Sequence, residues 1–386
     1  MSLLFPFFCI SPLHSETRNY NQRLTAISLQ NLTVLLMPDN APLSNEEIYM
    51  QRCIQLAQLG QSLVAPNPMV GSILVYNNKI IGEGYHQQYG QAHAEVNCIN
   101  SVADADKALI SSATLYVSLE PCAHFGKTPP CADLIIKYQI PKVIVGCRDP
   151  FEAVNGKGID RLAAAGVEVT VGVLKEECKA LNNRFFTFHT KKRPYIVLKW
   201  AETANHIIGV NTHDRLLISS EITNKLVHKW RSEEAAILVG TNTALLDNPS
   251  LTNRLWTGKQ PVRLVIDKQL SLPMLLNIFD QKQLTIVFNL VKEEKRDNLV
   301  YYKLESSKPF LQQIMDACYQ LNIQSILVEG GSKTLQSFID HQLCDEARVI
   351  TNTQLTIETG VPSPILFNAK NSITTQIGNE LITYNS

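Results

Sequence analysis

The sequence predicts an α/β protein built on a central, mixed sheet. Short apolar strands alternate with helical stretches along most of the chain. A histidine and two cysteines are split across strand-to-helix junctions, and the 386 residues are enough for two domains.

The first helix starts at Ser44-Asn45-Glu46-Glu47, a capping-box pattern, and Met50, Cys53, Ile54 and Ala57 recur at helical spacing before Gly60. Val70 to Tyr76 and Lys79 to Tyr85 read as strands joined by a hairpin at Asn77-Asn78. A helix begins near His93. Thr114 to Ser118 is a strand that runs into the Glu120-Pro121-Cys122 turn. Cys131 to Tyr138 reads as a helix, Lys142 to Cys147 as a strand, Gly158 to Ala165 as a helix and Val167 to Val171 as a strand. Lys191-Lys192-Arg193-Pro194 is a basic, proline-ended step between two domains, 45–190 and 194–386. Beyond it, Tyr195 to Trp200, Ala236 to Gly240, Val262 to Asp267, Leu284 to Phe288 and Ser325 to Glu329 read as strands. Glu221 to Trp230, Pro309 to Leu321 and Gly331 to His341 read as helices. There is no internal repeat.

The composition is that of a soluble globular protein, with 45% apolar and 18% charged residues. Lys plus Arg and Asp plus Glu each number 35, so the chain lacks the basic footprint of a nucleic-acid binder. A small phosphorylated substrate needs only a local pocket and stays open. The nine cysteines are odd in number and scattered, and only Cys122 and Cys131 have a recognisable spacing. That pattern suits a reducing compartment, the cytoplasm, and one metal site. Residues 1–44 read as a poorly ordered extension, or as an over-long start with Met37 as the true initiator. The apolar run Leu3 to Ile10 is broken by Pro6, is too short to span a membrane and lacks the basic start of a signal peptide.

The chemistry concentrates in His93-Ala94-Glu95 and in the segment Pro121 to Cys131. His93, Cys122 and Cys131 can hold zinc and leave the fourth position to water, the arrangement of a catalytic site. Helix starts near these residues would stabilise thiolate charge. Glu95 is free to act as the general acid and base. This is the signature of hydrolytic deamination of a nucleobase-like ring. A structural zinc would want a fourth protein ligand, and His124 is the candidate. The joint order of His-x-Glu, strand and Pro-Cys favours the catalytic reading.

The segment Pro-Cys-x-His-x-Gly-Lys-Thr-Pro-Pro-Cys, the run Ala65-Pro66-Asn67-Pro68-Met69-Val70-Gly71, and Gly82-x-Gly84-x-His86 resemble the bifunctional riboflavin-biosynthesis deaminase/reductase family. The resemblance runs from about residue 45 to the end. It implies a cytidine-deaminase-like α/β/α domain followed by a dihydrofolate-reductase-like α/β domain. It also implies that Asn67, His86, His124, Lys127 and Asp149 line the deaminase pocket. Phe151 stands where the family often has asparagine.

In the second half, Lys199-x-Ala201, Val227 to Arg231, Gly240 to Arg254 and Val328 to Ser332 match the reductase pattern. The resemblance implies substrate contacts from Lys199, Arg231, Leu251, Arg254 and Glu329, with Arg231 and Arg254 gripping phosphate. It implies NADPH contacts from Ala201, Gly240, Thr243, Asp247, Gly330 and Gly331, without a Gly-x-Gly-x-x-Gly fingerprint. The chain departs from the family at Thr203-Ala204-Asn205-His206, where Ser-x-Asp-Gly is usual. It departs again at Arg215, usually serine, and at Leu217, usually tryptophan. The implied reactions are zinc-dependent deamination of a diaminopyrimidinone carrying ribosylamino phosphate, then NADPH-dependent reduction of the ribosyl to a ribityl chain, in a homo-oligomer. The rivals are a deaminase-only enzyme with a degenerate second half, a deaminase of free or RNA-borne bases, and a non-catalytic zinc-stabilised binding module.

Overall fold

The computed structural model describes residues 42–126, 129–210, 216–367, 369 and 371–386. The expectations for residues 1–41, Lys127 and Arg215 lie outside these residues. The first helix, α1 (Asn45–Gln58), carries Glu46 and Glu47 in its opening turn and buries Met50, Cys53, Leu56 and Ala57 along one stripe.

The first sheet holds β1 (Gly71–Tyr76), β2 (Lys79–Tyr85), β3 (Thr114–Leu119), β4 (Lys142–Cys147) and β5 (Glu168–Val171), in the order β2-β1-β3-β4-β5. β1 runs antiparallel to β2 and β3, whereas β3, β4 and β5 are parallel, so the sheet is mixed as expected. Asn77 and Asn78 both take positive φ, 46° and 60°, the conformation a tight hairpin requires. Because β1 opposes β3 in direction, the start of β1 and the end of β2 lie at the same edge as the carboxyl ends of β3 and β4. Five α-helices follow among the described residues of this half: α2 (Ala94–Asn100), α3 (Cys131–Lys137), α4 (Lys157–Ala164) and the pair α5 (Lys175–Leu181) and α6 (Asn183–Lys191). The last two have no counterpart in the sequence reading.

The second sheet has ten strands in the order β11-β12-β10-β9-β8-β13-β6-β14-β17-β16. These are β6 (Tyr195–Thr203), β8 (Ala236–Gly240), β9 (Val262–Ile266), β10 (Thr285–Asn289), β11 (Glu294–Arg296), β12 (Leu299–Lys303), β13 (Ser325–Val328), β14 (Glu346–Asn352), β16 (Ser372–Ile377) and β17 (Glu380–Asn385), with β7 (Ile207–Gly209) and β15 (Val361–Pro362) paired apart. The central strands are parallel and buried on both faces. Along β6 the side chains alternate, with Ile196, Leu198 and Trp200 in one core and Tyr195 and Val197 in the other. The helices are α7 (Glu221–Glu233), α8 (Thr241–Asp247), α9 (Phe310–Gln320) and α10 (Ser332–Asp340). The basic step before β6 is pinned by Asp345, which accepts from Arg193 at 2.5 and 2.8 Å, from Lys191 at 3.2 Å and from the Ile196 amide at 2.9 Å.

Gly82 and Gly84 let α2 lie directly on β2. A Cβ on Gly84 would sit 2.2 Å from the Cys98 nitrogen and 2.6 Å from the Ala94 carbonyl oxygen. We expect Gly84→Ala to lose roughly 1–3 kcal/mol in denaturant unfolding, the usual cost of overpacking. Wild-type stability would show that the helix can lift away freely.

Candidate active site

His93 caps the start of α2 with extended backbone, and Cys131 opens α3. Cys122 sits in the turn that leaves β3. These three come from separate elements, yet the His93 Nδ1 lies 3.5 Å from the Cys122 Sγ and 3.4 Å from the Cys131 Sγ. The three donor atoms lie within 4.8 Å of one another. A tetrahedral ion with nitrogen at about 2.05 Å and sulfur at about 2.3 Å has an N···S edge of about 3.6 Å, so the donor set fits zinc. The Cys131 amide donates to the Cys122 Sγ at 3.3 Å. Cys122 is held well below the usual thiol range, first by the hydrogen bond from the Cys131 thiol and then, against burial, by His93. His124 is not part of this cluster, so the site has the three-ligand form of a catalytic centre.

Glu95 lies in the first turn of α2 and is 3% exposed. Burial raises its carboxyl above the ordinary range, and the Cys122 charge adds to that. It faces a cavity of about 380 Å³ that also includes Asn67, His86, His93, Cys122, His124 and Asp149. The His86 Nδ1 lies 3.0 Å from the Ala92 carbonyl, which can only accept, so the proton sits on that nitrogen. Its Nε2 then accepts from the Asn67 Nδ2 at 3.2 Å, which leaves the Asn67 Oδ1 for a ligand. Burial lowers the His86 pKa and keeps the ring neutral.

Asp149 accepts from the Phe151 amide at 2.7 Å, and burial pushes its carboxyl up to about 7. Beneath it the buried Glu120 accepts from the amides of Asp149, Gly156, Gly158 and Ile159 at 3.2, 3.0, 3.0 and 3.4 Å. Sequence reasoning missed Glu120 as a site residue. It also missed an aromatic wall: the His189 ring lies 5.0 Å from Phe151 and 4.4 Å from Phe185, and burial holds His189 down to about 4.

The residues expected to serve the reductase gather at the carboxyl ends of β6, β8 and β13, three neighbouring parallel strands. Lys199 and Ala201 lie on β6, Gly240 ends β8, and Glu329, Gly330 and Gly331 follow β13. The turns pack closely: a Cβ on Gly330 would meet Thr334 at 2.9 Å, and one on Gly331 would meet the Thr243 Oγ1 at 3.3 Å. The Gly331 turn presents main-chain N–H groups at the start of α10, which fits a cofactor phosphate.

Two residues expected to contact the substrate have side chains already engaged within the protein. Arg231 does not offer a free fork to phosphate. Its Nε and Nη2 each donate to Glu329 at 2.7 Å, and its Nη1 donates to the Thr252 carbonyl at 3.1 Å. Leu251 takes a φ of 49° and packs its side chain into the core at 2% exposure, so only its main chain can face a ligand. Asp247 ends α8 on the surface. The Arg254 amide donates to the His228 Nδ1 at 3.0 Å, so the buried His228, given no role of its own in the sequence reading, positions this loop. Burial, then the charges of Arg231 and Arg254, hold His228 down to about 4.

Residues 43–147 match the model for the cytidine and deoxycytidylate deaminase zinc-binding region, and residues 194–356 match the RibD C-terminal domain. The riboflavin biosynthesis protein RibD of Aquifex aeolicus is 40% identical over 302 residues, covering 77% of this chain and 84% of that one. This chain belongs to the RibD family. The RibD of Bacillus amyloliquefaciens is 38% identical over 78% of this chain and 82% of its own. A solved Thermotoga maritima structure, described as a diaminohydroxyphosphoribosylaminopyrimidine deaminase/5-amino-6-(5-phosphoribosylamino)uracil reductase, is 35% identical. It superposes with a TM-score of 0.78 over 88% of this chain and 98% of its own. Acinetobacter baumannii RibD is 27% identical with a TM-score of 0.77. The chain is therefore a bifunctional enzyme of riboflavin biosynthesis, with a zinc-binding deaminase domain followed by a reductase domain that uses NADPH. A deaminase-only reading is not favoured. Among the described residues no helix is long and apolar enough to cross a membrane.

The Arg231–Glu329 pair generates a stability prediction. Burial alone would raise the Glu329 carboxyl, but the Arg231 charge overrides it and holds the group down to about 2. A depressed acid stabilises the fold above its ordinary pKa of 4.5, and that contribution fades as pH falls toward about 2. Arg231→Ala strands a buried carboxylate, so it should cost roughly 3–5 kcal/mol at neutral pH in chemical unfolding. The loss should shrink as the medium is acidified; a pH-independent loss would contradict this account.

Proposed function

We propose that the first domain hydrolyses the ring amino group of a diaminopyrimidinone bearing ribosylamino phosphate. The observation that carries this is a three-ligand His/Cys/Cys cluster at a cavity that also holds a buried glutamate two residues from the histidine. His93, Cys122 and Cys131 would hold zinc, which when bound brings the pKa of a coordinated water to roughly 7. Glu95 takes the proton from the attacking water. It passes protons to the ring nitrogen and to the departing amine, so water replaces the amino group and ammonia leaves. The raised pKa of Glu95 suits a group that must hold a proton between those steps. The Asn67 Oδ1 accepts from the ring edge, in an orientation set by His86. Asp149 and His124 bound the same cavity. Lys127 is our candidate for the substrate phosphate, on the family resemblance alone.

The second domain reduces the ribosyl group of the deaminated product to a ribityl chain. NADPH supplies the hydride, and the protein's task is alignment. Gly240, Thr243, Gly330 and Gly331 form the close-packed turns at the strand ends, which suit the cofactor, while Lys199 and Arg254 address the substrate. Arg231 is a positioning residue, since Glu329 and the Thr252 carbonyl engage its fork. The eight cysteines among the described residues are all free, which supports a reducing, cytoplasmic setting, and we expect a homo-oligomer.

The deciding experiment is product mass after the zinc-loaded protein meets the diaminopyrimidinone ribosylamino phosphate, with and without NADPH. Loss of ammonia, followed by a gain of two hydrogens only when NADPH is present, is the expected result. Glu95→Gln should keep its zinc and lose at least about 10²-fold in deamination, the usual scale of general acid–base catalysis. Near wild-type turnover would remove Glu95 from that role. In the reductase, Arg254→Ala should raise KM for the substrate far more than KM for NADPH, and equal effects would exclude a phosphate contact.

A further inference from the structure

The segment 63–69 carries Asn67 into the deaminase cavity, and it is built around Pro66 and Pro68. Neither proline has an N–H, so the segment cannot pair as a strand. Its carbonyls must find donors elsewhere. Asn182, between α5 and α6, brackets Met69: it accepts from the amide at 2.8 Å and donates to the carbonyl at 2.8 Å. Within the same half, the Tyr89 amide donates to the Leu63 carbonyl at 3.2 Å and the Asn67 amide to the Val64 carbonyl at 2.9 Å. Further donors come from the second half of the chain. The Gln324 Nε2 donates to the Pro66 carbonyl at 2.8 Å, and Gln324 is 9% exposed. The Lys259 Nζ donates to the carbonyls of Leu63 and Ala65 at 3.2 and 3.3 Å. Gln324 and its neighbour Asn322 also form part of the cavity wall.

Gln324 is itself held firmly. It immediately precedes β13, the strand at the middle of the second sheet, and its carbonyl accepts from the Tyr195 amide at 2.9 Å. Pro66 is adjacent to Asn67, whose amide orientation against His86 is what presents an acceptor to the ring. A shift of the Pro66 peptide would therefore move the Asn67 side chain.

We infer that the reductase half sets the geometry of the deaminase pocket, with Gln324 and Lys259 as positioning residues for Asn67. The inference rests on the deaminase reading above. It makes ring recognition in the first reaction depend on side chains from the half of the chain that carries the second.

The test is steady-state kinetics of both reactions on full-length, zinc-loaded protein, using the deaminated substrate for reduction. Gln324→Glu keeps the side-chain size but replaces the donor with an acceptor facing the Pro66 carbonyl. It should raise the deaminase KM about tenfold, with kcat and the reduction kinetics held within about twofold, as expected when one buried bond aligning a binding group is lost. Lys259→Ala should move deaminase KM in the same direction, and Lys259→Arg should restore it. If the Gln324→Glu enzyme deaminates with wild-type KM, the inference falls. It falls equally if both reactions decline in step with a lowered Tm, because that is the mark of a general stabiliser. If the wild type itself releases no ammonia, the assignment of the deaminase activity is overturned, and this inference with it.

Discussion

The first site depends on a single buried carboxylate. Glu120 sits between the last residue of β3 and the Pro121-Cys122 turn, and it gathers four amides from residues 149 to 159. A charge in that position is costly unless every lone pair is met. The four bonds meet it, and in doing so they tie the loop bearing Asp149 and Phe151 to the turn bearing a zinc ligand. Gly158 permits this approach: a Cβ there would lie 1.9 Å from the Pro121 carbonyl oxygen. The same device recurs in the second half. Asp345 ties the basic step to the start of β6, Glu329 ties α7 to the end of β13, and Glu380 accepts from the amide and hydroxyl of Ser220 at the head of α7.

Both sites lie where neighbouring parallel strands end. In the first sheet, β3 and β4 deliver Cys122 and Asp149, and the antiparallel β1–β2 hairpin brings Asn67 and His86 to the same edge. In the second, β6, β8 and β13 deliver Lys199, Gly240 and Glu329. Loops at such ends can vary without disturbing the sheet beneath, which is why open α/β sheets bind ligands there. The rigidity needed for catalysis therefore comes from the loops' own bonds to buried side chains.

Much of this could be read from the residues in order. The hairpin at Asn77-Asn78 needed only local chemistry, since two consecutive asparagines tolerate positive φ. The zinc ligands stood out because their identities and spacing are written in the chain. The ring orientation of His86 and the engagement of Arg231 by Glu329 were not legible, because each depends on a partner brought in by tertiary packing. The wall from Phe185, Phe188 and His189 was missed with helix α6, on which it rides. The strands after residue 341 were also missed. β16 is largely polar and only half-buried, so its alternation is weak, and β11 is a charged edge strand. Arg231 was expected at the phosphate on the family resemblance, and an arginine on a helix carries no sign in the sequence of the carboxylate it faces.

The departures from the family pattern show how a loop can be rebuilt without loss of order. His206 stands where glycine is usual and takes a φ of 60°, a left-handed conformation that costs a side-chain residue about 1–2 kcal/mol. Its Nδ1 donates to the Glu202 Oε1 at 2.9 Å, and the Trp200 indole and the Thr351 hydroxyl hold that same carboxylate. Asn205, in place of aspartate, donates to the Ile357 carbonyl at 2.7 Å and accepts from the Ile357 amide at 3.2 Å. An aspartate could have made only the second of those bonds. Leu217, in place of tryptophan, is 74% exposed, so the core does not depend on its size. In the other half, Phe151 gives up an amide but gains ring contacts with His124 and His189. At Asn205, His206 and Phe151 the side chain that departs from the pattern meets a group already in place, whereas Leu217 points to the surface and asks nothing of the core.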